Sequence, residues 1–174
     1  DYDLSNKKKL FKKINNLNFG EYPELEKFYF KLARWLKISP KQLYITEGVS
    51  GAIKSLLEAY TLPKKNNIIF PHPTFAMYSV YAQMFGLKAK KINYDLNYKL
   101  NFKKLINSID KSTAFVFLPN PNVPIEGMLS KNQIKIILRK CKKFKCFLVL
   151  DEVYYPFGKF TGINLIKKSK IIFI

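Results

Sequence analysis

Residues 147–157 read FLVLDEVYYPF, an unbroken apolar run that stops on two carboxylates, Asp151 and Glu152, followed by Tyr154 and Tyr155. A carboxylate and a phenol together offer a charged acceptor and a hydroxyl donor. One reading is plain: a buried strand has reached the surface. The other places Asp151 at the carboxyl end of a parallel strand, where open α/β sheets bind their ligands.

Three more stretches carry comparable chemistry. TEGVSGAI, residues 46–53, runs through Gly48, Val49, Ser50 and Gly51 into a helix, and small residues there let backbone N–H groups approach an anion at the helix start. The plainer alternative is an ordinary tight turn with Ser50 as N-cap. FPHPTFAMY, residues 70–78, presents Phe75 at a helix start, either as a platform for a flat ligand or as a core aromatic. His72, the sole histidine, lies between prolines with no evident triad partner, so nothing is built on it. LPNPNVPIEG, residues 118–127, combines three prolines with Asn120 and Asn122, either a stiff turn or a rigid source of amide hydrogen bonds. A phosphate cradle, an aromatic face, amides, and a carboxylate with a phenol suit a flat, phosphorylated, nitrogen-containing ring. Pyridoxal phosphate is such a ring.

These residues need elements to position them. Apolar spacing and turn residues predict helices over 24–37, 50–60, 74–86, 102–108 and 130–141, with strands over 42–46, 67–70, 87–93, 113–118, 146–151 and 170–174. Strands of continuous Val, Ile, Leu and Phe alternating with helices predict a three-layer α/β/α fold around a mainly parallel sheet.

Composition narrows the function. At 174 residues and 48% hydrophobic content the chain can bury one domain-sized core. No apolar stretch approaches the roughly 20 residues of a membrane helix, and no signal peptide opens the sequence, so a soluble cytoplasmic protein is expected. Cys141 and Cys146 lie five apart, a spacing that fits neither a disulfide nor, with a single histidine, a metal site. The net charge of +19 comes almost wholly from lysines spread along the chain, with Arg34 and Arg139 the only arginines. That dispersal suits solvated helix faces better than nucleic-acid binding, which is kept as a second alternative.

In the order YP, TEGVSGAI, PHPTFAMY, NPNVPIEG, LDEVYYPF, the chain resembles the large domain of fold-type I pyridoxal-phosphate aminotransferases along nearly its whole length. It is most similar to the histidinol-phosphate aminotransferase group, with threonine-phosphate decarboxylases as the alternative. The resemblance implies a cofactor-dependent enzyme that moves an amino group between an amino compound and a 2-oxo acid, working as a homodimer. It implies that Asp151 pairs with the ring nitrogen, Tyr154 bonds the ring hydroxyl, Phe75 stacks on one ring face and Val153 packs on the other. The phosphate would sit on the backbone of Gly48, Val49 and Ser50, and Tyr22 would reach the phosphate bound in the neighbouring subunit.

Two departures stand out. Where the family loop has an asparagine before its second proline, this chain has Val123, which leaves Asn122, and then Asn120, as the substitute contact. The Schiff-base lysine is expected beyond Ile174, because Lys167, Lys168 and Lys170 precede the last strand, at the wrong end of the sheet. Beginning at Asp1 and ending inside the apolar run KIIFI, residues 1–174 are read as an incomplete large domain. In this reading residues 1–22 lead into the domain and the small C-terminal domain is absent. Such a piece alone is expected to be catalytically silent and to self-associate.

Overall fold

Strands apolar at consecutive positions cannot leave either face in water, and successive side chains alternate between faces. In the computed structural model, which describes residues 22–174, five strands form one sheet: β1 (Asn67–His72), β2 (Lys88–Asn93), β3 (Thr113–Pro119), β4 (Phe147–Asp151) and β5 (Ile172–Phe173). Their order is β2-β1-β3-β4-β5 and every pairing is parallel, so the expected mainly parallel sheet is parallel throughout. Helices α2 (Gly48–Tyr60), α3 (Met77–Met84), α4 (Phe102–Ser108) and α5 (Lys131–Phe144) cover it, and a short α6 (Ile163–Ile166), which periodicity does not reveal, precedes β5.

The alternation deals each strand into two cores. Ile68, Phe70, Phe115, Phe117 and Val149 pack with Ile53 and Leu57 of α2 and Tyr78 and Ala82 of α3. Ile69, Val116, Leu118, Leu148 and Leu150 pack with Leu105 of α4 and Ile134, Ile137 and Cys141 of α5. The predicted three layers are therefore α2 and α3 on one face, the sheet, and α4 and α5 on the other. β2, at an edge, is mostly exposed and carries Lys88, Lys90 and Lys91, which discourage pairing with a foreign strand.

Helix ends follow local chemistry. α5 starts on a capping box between Ser130 and Gln133 and stops where Lys145 turns left-handed (φ 51°), its N–H returning to Cys141 and Lys142. Cys146 N–H also bonds the Cys141 carbonyl at 3.1 Å, and both cysteines are buried and free. α2 begins two residues before the predicted start, because Gly48 takes a left-handed φ of 68° and turns the chain there. Ser50 thus lies inside the helix, and the cap position falls on Glu47, whose side chain makes no capping bond.

The chain divides into two units, Asp1–Leu43 and Tyr44–Ile174, the sheet belonging to the second. Among the described residues the first holds α1 (Glu26–Leu36) and a 3-10 turn over Pro40–Gln42. The strand expected over 42–46 does not form. The Ser39 hydroxyl accepts from Lys41 N–H, and the Gln42 side chain accepts from Ser39 N–H at 3.1 Å. These bonds wind Gln42 into the turn, and residues 43–46 join no strand.

Candidate active site

From β1 the chain crosses out to β2 and returns to β3 on the other side of β1. The strand order therefore reverses between β1 and β3, and the crevice beyond their carboxyl ends is the place where such sheets bind ligands. Loops after β1 (Pro73–Phe75), β3 (Asn120–Gly127) and β4 (Glu152–Tyr154) meet this edge.

Asp151 closes β4 and is 7% exposed. Its parity is that of Phe147 and Val149, so its side chain leaves the sheet on the α2 and α3 face. There Oδ2 accepts a hydrogen bond from the Tyr78 hydroxyl at 2.5 Å, while Oδ1 accepts from Val153 N–H at 3.1 Å. Tyr78 is fully buried, and burial, reinforced by the Asp151 charge and this bond, pushes its phenol far above the usual value. It stays a proton donor. Sequence reasoning missed Tyr78, yet a signal was present: a phenol on the core side of an apolar helix must find a buried acceptor.

Phe75 stands just before α3, 38% exposed, with its ring edge-on to Tyr78 at 5.8 Å between centroids. Val153 and Tyr154 follow Asp151 and are 57% and 44% exposed, leaving their side chains available at the sheet edge. Tyr155 is as exposed as Tyr154. The first turn of α2, at Gly48, Val49 and Ser50, belongs to the same face, with no side chain capping its N–H groups. The Thr46 hydroxyl instead donates to the Gly48 carbonyl at 2.8 Å, which fixes the turn entering the helix.

The two asparagines part company. Asn120 continues β3, its N–H donating to the Asp151 carbonyl at 2.8 Å, but its side chain turns to the α5 face, where Oδ1 accepts from Leu129 N–H at 2.8 Å. Nδ2 of Asn120 is buried without a partner. Asn122 is fully buried and its amide is engaged within the protein: Nδ2 donates to the Pro73 carbonyl at 3.0 Å and the Tyr94 hydroxyl at 3.1 Å, while Oδ1 accepts from Thr74 at 2.6 Å. It ties the loop after β3 to the loop after β1 across the point where strand order reverses. As a donor to a ligand it would have to release one of these bonds, since both Nδ2 hydrogens are used, whereas Oδ1 keeps a second lone pair. Val123 is 43% exposed. A hollow of about 290 Å³ beside this network, lined by Pro71, Tyr94, Leu118, Gly127, Leu129 and Gln133, does not include Asp151.

Glu152 has a separate task. Its Oε2 accepts from the Thr161 hydroxyl at 2.6 Å and its Oε1 from Gly162 N–H at 2.7 Å, clasping the segment that leads to α6. The fit at Gly162 is close, since a Cβ there would meet Leu150 Cδ2 at 2.5 Å. Burial lifts the Glu152 carboxyl above its ordinary value, outweighing these two bonds. The folded chain therefore takes up a proton more readily than the unfolded one. That contribution to stability is complete below the unfolded value of about 4.3 and disappears as pH rises past the folded one. Glu152→Gln removes the titration, so urea unfolding across this range should show wild-type stability declining relative to the variant as pH rises. A constant difference would exclude Glu152 as the source.

Tyr22 is fully exposed and lies in the first unit, so its expected reach to a phosphate is not part of this geometry. Lys167, Lys168 and Lys170 fall between α6 and β5, at the amino end of that strand. Among the described residues no helix is long and apolar enough to cross a membrane.

Known proteins share both sequence and fold with this chain. It is 31% identical over 146 residues to a histidinol-phosphate aminotransferase of Bacteroides thetaiotaomicron, covering 83% of this chain and 41% of that protein. A histidinol-phosphate aminotransferase of Caldanaerobacter subterraneus is 28% identical over 164 residues, covering 92% of this chain and 46% of the relative. The chain thus spans less than half the length of these relatives. Among solved structures, histidinol-phosphate aminotransferase from Clostridium acetobutylicum superposes with a TM-score of 0.77 at 20% identity, over 95% of this chain and 49% of that one. Cystalysin from Treponema denticola, which contains pyridoxal 5′-phosphate, superposes with a TM-score of 0.73 at 18% identity, over 84% of this chain and 40% of its own. Residues 5–164 match the family model of aminotransferase class I and II, and the chain belongs to that family.

Proposed function

We propose that the whole protein is a pyridoxal-phosphate-dependent aminotransferase of the histidinol-phosphate type, moving an amino group between an amino compound and a 2-oxo acid. The observation that carries this reading is the gathering on one face of the sheet of Asp151 at the carboxyl edge, Phe75 against the Tyr78 that bonds Asp151, and the first turn of α2, which has no side-chain cap.

The donor set fits the cofactor. Asp151 offers a fixed carboxylate for the ring N–H, the exposed Phe75 ring offers a platform for a flat ring, and Val153 an apolar contact for its other face. The N–H groups of Val49 and Ser50, at the positive end of a 13-residue helix, suit a phosphate, while the Gly48 N–H is taken by the Thr46 carbonyl at 2.8 Å and Gly48 serves by its open surroundings, a Cβ there finding nothing within 4 Å. Tyr154 would hydrogen-bond the ring hydroxyl. Bound here, the cofactor would supply an electron sink for the charge left when the substrate's Cα loses a proton. The chain's own part is to hold a carboxylate against the ring nitrogen, keep the ring flat, and anchor the phosphate. Asn122 supports this by locking the two loops that frame the crevice, and Tyr22 would serve the partner's phosphate in a homodimer.

The test is direct. Full-length protein, loaded with pyridoxal phosphate and treated with borohydride, should retain the cofactor covalently on a lysine, and the loaded enzyme should transfer an amino group from histidinol phosphate to 2-oxoglutarate. Absence of any cofactor uptake would overturn the reading.

A further inference from the structure

Asp151 is held at two points, one by a backbone N–H and one by a buried side chain. The Tyr78 hydroxyl donates to Oδ2 at 2.5 Å, opposite the Val153 N–H bond to Oδ1 at 3.1 Å. An ionised carboxylate offers about four acceptor positions, so these two bonds leave lone pairs free for a third donor. The phenol itself cannot drift. Its ring is stacked on Phe117 at 5.1 Å and 25°, tilted against Phe70 at 5.6 Å and edge-on to Phe75 at 5.8 Å, and none of it reaches solvent. A rigid donor on one oxygen and a backbone donor on the other fix both the plane and the rotation of the carboxylate.

We infer that Tyr78 is the positioning residue for the ring-nitrogen contact: its hydroxyl, bonded to Asp151, aims the remaining carboxylate lone pairs at the cofactor's ring N–H. Phe75 and Tyr78, three residues apart, put the ring platform and the orienting hydroxyl on one short stretch, so stacking and nitrogen recognition are set together. This rests on the proposed cofactor reading, and its test separates the two.

Two probes serve: pyridoxal 5′-phosphate and its analogue with C–H in place of the ring nitrogen. Their affinities for full-length wild-type protein and for Tyr78→Phe are measured by fluorescence titration. The variant keeps the buried ring and removes only the hydroxyl. Wild-type protein is expected to favour pyridoxal phosphate, and Tyr78→Phe to cut that preference by about tenfold, the scale of one charge-assisted hydrogen bond, while affinity for the analogue is unchanged. An unchanged preference, whether both affinities hold or both fall together, would overturn the role of Tyr78 and leave the cofactor reading intact. Wild-type protein that binds both probes equally would instead overturn the Asp151 contact itself. Asp151→Asn with Tyr78→Phe completes the cycle, and additive losses of preference would likewise refute coupling between the two side chains.

Discussion

Asp151→Asn in the full-length protein is expected to lower aminotransferase turnover by at least about 10²-fold, the usual cost of removing one preorganised electrostatic contact at a reacting group. Asp151 is the carboxylate at the carboxyl edge that shares a face with Phe75 and the start of α2, and both of its oxygens are held. Asparagine is the informative change because it keeps an acceptor for the buried Tyr78 hydroxyl. Alanine would strand that hydroxyl at about 1–3 kcal/mol and confuse catalysis with stability. Turnover is to be read beside urea unfolding. An Asn variant with wild-type turnover would remove Asp151 from the chemistry.

The second large effect is on stability. Asn122→Ala deletes three side-chain hydrogen bonds in a fully buried place, those to the Pro73 carbonyl, the Tyr94 hydroxyl and the Thr74 hydroxyl. Burial already pushes the Tyr94 phenol up, so it remains a neutral group that needs a partner. Stranding these groups is expected to cost about 2–4 kcal/mol in urea unfolding. The same measurement decides between two roles. If unfolding is unaffected while cofactor affinity collapses, Asn122 touches the cofactor directly, as the resemblance implies. If stability falls, its work is to bind two loops together.

The layers and the parallel sheet were legible because β1, β3 and β4 are apolar at nearly every position, which only a sheet covered on both faces accommodates. What sequence left hidden was settled by short-range bonds and direction. Gln42 reads as strand until its side chain bonds the Ser39 backbone. Ser50 reads as a cap until Gly48 turns the chain early. Asn120 and Asn122 are equivalent as letters, yet one faces Leu129 and the other Thr74, because the loop after Pro119 turns before the second is reached. Tyr78 is distant from Asp151 in sequence, and only the packing of α3 on the sheet brings their oxygens together.

The two-residue alternation along β4 makes the site far more vulnerable to deletions than to substitutions. Phe147, Val149 and Asp151 face α2 and α3, whereas Leu148 and Leu150 face α4 and α5. Loss of one residue within this strand would carry Asp151 through the sheet to the α4 and α5 face and bring Glu152, one methylene longer and already bonded to Thr161 and Gly162, into its register position. A deletion scan of residues 147–150 should therefore find no functional survivors, while conservative exchanges at Leu148 or Leu150 remain tolerated.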